Sequence, residues 1–120
     1  MTDPRSPLPR RQDPAERRRS PRVEIELGCK LVRRMGSPIE AHTIDLGPGG
    51  MRIAAHRPLR VDEELDFDIM RGDVRLTGHA RVMREHERRV YALRFERLPR
   101  PSRDALRGLV DERADPPQLL

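Results

Sequence analysis

Val23, Ile25, Leu27, Cys29 and Leu31 are apolar or nearly so, and Glu24, Glu26, Gly28 and Lys30 stand between them. A period of two is the mark of a half-buried strand, here running to Val32. The same alternation returns downstream. Arg34-Met35-Gly36-Ser37-Pro38 reads as a turn, Ile39 to Leu46 as a second strand, and Gly50 to Ala54 as a third. Leu65, Phe67 and Ile69 mark a fourth, ended by the turn Arg71-Gly72-Asp73. Val74, Leu76, Gly78, Ala80 and Val82 share one face of a longer fifth. Gly78 stands where an inward side chain belongs, which suggests a bulge or a barrel corner. Tyr91, Leu93 and Phe95 form the sixth. After Pro99 and Pro101 the period lengthens. Ala105, Leu106, Leu109 and Val110 make one helical stripe, with Ser102 suited to cap the helix and Asp104 to its first turn. The pattern predicts an all-β fold with one C-terminal helix. Six short antiparallel strands close into a β-barrel, and the helix covers an opening or an edge.

The flanks follow a different rule. Residues 1–15 hold Pro4, Pro7, Pro9 and Pro14 among charges, and such a segment buries too little to offset its ordering entropy. It is read as a disordered, basic, Pro-rich arm, and residues 114–120, with Pro116 and Pro117, as a disordered tail. That leaves residues 16–113 as one small domain. Only 35% of the chain is hydrophobic and 2% aromatic, so its core must be thin and built on Val, Ile and Leu. A formal charge of +5 favours anionic partners: nucleotides, nucleic acid or lipid headgroups.

Cys29 is the sole cysteine, so no intrachain disulfide forms, and its inward position suits a small core thiol. The N-terminus lacks an apolar signal region and no apolar run approaches the ~20 residues that span a bilayer. A soluble, cytoplasmic protein with no transmembrane segment is expected. His42, His56, His79 and His86 are scattered without ligand spacing, so no metal site is expected. No activated nucleophile stands near a base, so catalytic residues and enzymatic activity are not expected. Scarce aromatics argue against single-stranded nucleic acid, whose binders stack bases on such rings. Arg57, Arg60, Arg84, Arg88 and Arg89 read as surface charge.

Two motifs remain. ERRRSPR, Glu16 to Arg22, precedes the first strand, and Pro21 holds Ser20 extended. Arg18 and Arg22 then lie at most about 14 Å apart, with guanidiniums free to fork onto phosphate oxygens or a guanine edge. Arg17 and Arg19 are weaker candidates for the same work. DLGPGG, Asp45 to Gly50, follows a strand, so its backbone N–H groups could line an anion-accepting concavity. Asp45 could accept from a guanine N1–H and N2–H pair. Arg52, alternating with Met51 and Ile53, points away from the core and toward the same place. The plain alternative for DLGPGG is a tight turn using glycine at positive φ, with no ligand.

Paired in this order, the two motifs resemble the PilZ domain family, whose signature is RxxxR followed by [D/N]xSxxG. The likeness extends to VYALRFERL and the closing helix. The resemblance implies a six-stranded PilZ-like β-barrel that binds the bacterial second messenger cyclic di-GMP, needs no cofactor, and signals to a downstream protein effector. By position it carries over to Arg18 and Arg22 as the arginine pair, Asp45 as the acid, and Gly50 as the closing glycine. Gly47 departs from the family's serine. A lost hydroxyl contact is worth about 0.5–1.5 kcal/mol, roughly tenfold in affinity at the upper end. Gly47 also frees a backbone N–H to approach the ligand, which could recover part of that loss. The rival reading from the same departure is a PilZ-like protein-interaction module that has lost nucleotide binding.

Overall fold

The computed structural model describes residues 22–114; the arm of residues 1–15, the ERRRSP part of the arginine motif and the tail from residue 115 lie outside the described residues. In chain order the elements are β1 (Val23–Glu24), β2 (Gly28–Arg33), β3 (Ile39–Leu46), β4 (Gly50–Ala55), β5 (Glu64–Arg71), β6 (Val74–Glu87), β7 (Val90–Arg97) and α1 (Arg100–Ala114). The sheet runs β3, β2, β5, β6, β7, β4, and β4 returns to β3, so it closes on itself. All pairings are antiparallel.

β4 occupies one edge of β3, so β1 and β2 must share the other. They are one strand interrupted at Ile25–Leu27, and the barrel has six strands, as the alternation predicts. The interruption has a local cause. Buried Thr43 turns its hydroxyl into the gap, accepting from Leu27 N–H at 2.9 Å and donating to Ile25 O at 2.6 Å. The side chain replaces the ladder bonds that the extra residue removes.

Leu31, Ile39, Ile53, Leu65, Ile69 and Val82 point inward and are fully buried. Burial of this kind is what makes β-branched and leucine side chains favourable on a pleated sheet. Tyr91 joins them, its hydroxyl accepting from Leu59 N–H at 2.9 Å. Cys29 is inward too, and burial pushes its thiol up to about 12. A Cβ on Gly78 would come within 2.7 Å of Arg97 O and 2.9 Å of Phe67 Cζ, and the β6–β7 register shifts immediately afterwards. Where a bulge or a barrel corner is expected, the strand pairing slips, one residue beyond Gly78.

Two boundaries differ from expectation. β6 continues to Glu87, its last residues pairing with the start of β7, which also pairs with β4. Both its faces are wet there, so apolar alternation is silent. The helix begins at Arg100, with Pro99 O accepting from Arg103 N–H at 2.8 Å, so Ser102 is not its cap and Asp104 is not in its first turn. Ser102 is instead buried, and its Oγ accepts from Thr77 N–H at 2.9 Å. β7 ends opposite His79, leaving Thr77 beyond the reach of a strand, and Ser102 supplies the missing acceptor. Leu106, Leu109 and Val110 bury the helix stripe, with α1 packed on β6 and β1.

Candidate functional site

Strict alternation along β3 would send Asp45 inward with Ala41 and Thr43. A register shift between Thr43 and Asp45 prevents it. Beyond the shift Leu46 is the inward residue, opposite Val23 and Met51, while Asp45 faces outward opposite Arg52 and Glu24. Arg22 precedes β1 by one residue, which brings it beside the same carboxylate.

Both Asp45 oxygens are engaged. One accepts from Arg22 Nε at 3.2 Å and Nη2 at 2.6 Å, and the other from Arg52 Nε at 2.7 Å. Arg52 Nη2 also lies 2.7 Å from that second oxygen. The arginines cover the carboxylate, leaving 7% of its side chain exposed while theirs stay 46% and 39% exposed. Burial pushes the Asp45 pKa up, but hydrogen bonds from Arg22 and Arg52 together outweigh it and hold the group below the usual carboxylate range. The expected open acceptor for a guanine edge is therefore already occupied. Such an edge must displace an arginine.

Beside this triad runs an open groove of about 510 Å³, within the range of small-molecule sites. Arg22, Asp45 and Arg52 line it together with Gly49, Gly50 and Ala92. Arg84, His86 and Arg94 complete it. From the sequence alone Arg84 reads as plain surface charge, and His86 as one of several scattered histidines. Their place depends on the β6–β7 register beyond the last apolar alternation, where the sequence carries no signal.

The glycine turn works differently from expectation. Gly47 N–H donates to Gly50 O at 2.9 Å, so it is committed to closing the turn, and Gly47 itself is buried and does not line the groove. Nor does the turn use positive φ: among the described residues the glycines with positive φ are Gly36 and Gly72. Gly50 is demanded by close approach, since a Cβ there would collide with the Leu93 carbonyl oxygen on β7. Gly49 has open space around it. Arg17, Arg18 and Arg19 lie outside the described residues.

On another part of the surface, Glu64, His79 and Glu96 bring potential ligand atoms within 4.8 Å of one another. His79 is held between Asp66 and Glu64, each at 2.9 Å, and these bonds raise its pKa. Arg81 reaches Glu64 at 2.8 Å and Glu96 at 2.7 Å. The carboxylates are thus already engaged by the Arg81 guanidinium and the His79 ring, a poor setting for a cation.

The architecture is a closed small barrel with a cationic groove on its outer wall. The PilZ domain family model matches residues 16–112, and the chain belongs to that family, one of cyclic di-GMP receptors and regulatory modules rather than enzymes. Among solved structures it is similar to the Bacillus subtilis inhibitor of motility MotI/DgrA, at a TM-score of 0.63 and 16% identity. The match covers 78% of this chain and 49% of that one, so the chain spans about half the length of that structure, and the likeness is one of fold. No curated protein matches it significantly in sequence. No helix among the described residues is long and apolar enough to cross a membrane.

Proposed function

We propose that this protein binds cyclic di-GMP in the groove beside Asp45. The observation that carries the reading is the Arg22–Asp45–Arg52 triad on a cationic groove, with Arg22 and Asp45 at motif positions and Arg52 just beyond them. Arg22 and Arg52 keep much of their surface exposed, so phosphate or guanine can compete for guanidiniums that Asp45 already holds in place. Arg18 joins from the arm, with Arg17 and Arg19 as weaker contributors, and the arm folds over the ligand. Gly47 and Gly50 act by shaping the turn. The ordered arm or the adjoining barrel surface then meets a protein effector, an order-from-disorder switch.

Isothermal titration of the full chain with cyclic di-GMP tests this. Saturable binding is expected, with Arg22→Ala weakening it by at least about 1.5 kcal/mol, as loss of a charge-assisted contact should. Heat-silent mixing at high micromolar concentration contradicts it. The rival, a protein-interaction module without nucleotide binding, draws support from Gly47 in the serine position and from the saturation of Asp45. It predicts an unchanged melting temperature at high cyclic di-GMP and a stable complex with a protein partner.

A further inference from the structure

Ala92 pairs with Arg52 on one side and Arg84 on the other. Neighbouring strands lie about 4.8 Å apart, so the backbones of the two arginines are separated by about 10 Å across a methyl group. The small residue between long ones is what makes this stretch of outer wall concave. Arg94, two residues further along β7 and opposite Gly50, shares the face.

We propose that β6 and β7 supply a second anion-binding wall, made of Arg84 and Arg94 with the imidazole of His86 beside them. The inference rests on the cyclic di-GMP reading and adds to it residues outside both motifs. The charge balance of the groove supports it. Asp45 is the one acid among its lining residues, and both its oxygens serve Arg22 and Arg52. Arg84 has no carboxylate within ion-pair distance among the described residues, and strand pairing fixes its backbone. Arg94 reaches Glu96 at 3.2 Å, but the same oxygen already accepts from Arg81 at 2.7 Å. Positive charge on this wall is therefore incompletely countered, where elsewhere on the barrel Arg33, Arg75 and Arg81 are each matched to a carboxylate at 2.7 Å.

A single phosphate cannot satisfy guanidiniums on both sides of Ala92. A ligand carrying two separated phosphates can, with one toward Arg22 and Arg52 and the other toward Arg84 and Arg94. The two walls would thus select a cyclic dinucleotide over a mononucleotide.

Titration of cyclic di-GMP into the full chain, Arg84→Ala, Arg94→Ala, Arg84→Lys and Arg88→Ala is the test, with ligand-free melting curves recorded beside it. Each alanine variant at positions 84 and 94 should raise Kd about tenfold, the scale of one charge-assisted contact. Arg84→Lys should recover part of the loss, and Arg88→Ala, outside the groove lining, should bind like the parent. Melting temperatures without ligand should stay unchanged for the Arg84 variants, whose side chain has no ion-pair partner to lose among the described residues. If the parent binds and both alanine variants bind equally well, the second wall is wrong while the receptor reading stands. If the parent itself does not bind, both fall.

Discussion

Asp45 is the residue on which the site's electrostatics turn. A carboxylate with 7% of its side chain exposed persists only because two guanidiniums cover it and satisfy both oxygens. Its folded pKa lies below the ordinary value of ~3.9, so its stabilising contribution is full above that pH and is lost as pH falls through the folded value. Asp45→Asn should therefore destabilise the fold by about 1–3 kcal/mol at pH 7, with the gap to the parent shrinking in strong acid. Urea unfolding at both pH values checks this; a constant gap would show that the charge plays no part. On the cyclic di-GMP reading proposed above, Asp45 stands in for ligand phosphate and holds Arg22 and Arg52 in advance of binding.

Most of the elements were legible because the barrel's inner face imposes a period of two that Val, Ile and Leu report directly. Leu31, Leu65 and Tyr91 landed where alternation put them. What alternation hides is a one-residue slip. The shift after Thr43 decides whether Asp45 meets the core or Arg52, and no single residue in IEAHTIDL announces it. The hairpin carrying Arg84 was missed for the opposite reason, since a strand wet on both faces leaves no apolar trace. Ser102 shows a third limit. Its sequence neighbourhood suits a cap, yet a gap in the sheet at Thr77, 25 residues earlier in the chain, claims it. A cap would tolerate Ser102→Asp, whereas burying a carboxylate against Thr77 should lower stability by more than about 1 kcal/mol. Thermal or urea unfolding of that variant separates the two roles, and a gain in stability would restore the cap.

At the scale of the whole molecule, the barrel separates two kinds of charged surface. Around β5 and β6, acids and bases are matched: Asp68 with Arg75, Glu64 and Glu96 with Arg81, His79 between Asp66 and Glu64. On β4, β7 and the end of β6, arginines outnumber the one acid lining the groove. Unbalanced charge around a concavity favours an anion by direct attraction and by raising its local concentration. Amide chemical shifts followed during titration with cyclic di-GMP test this account most directly. The account predicts shifts concentrated at Gly49, Gly50, Arg52, Arg84, Ala92 and Arg94, with Asp66, Gly78 and His79 unmoved. Shifts centred on that second group, or none at all at millimolar ligand, would contradict it.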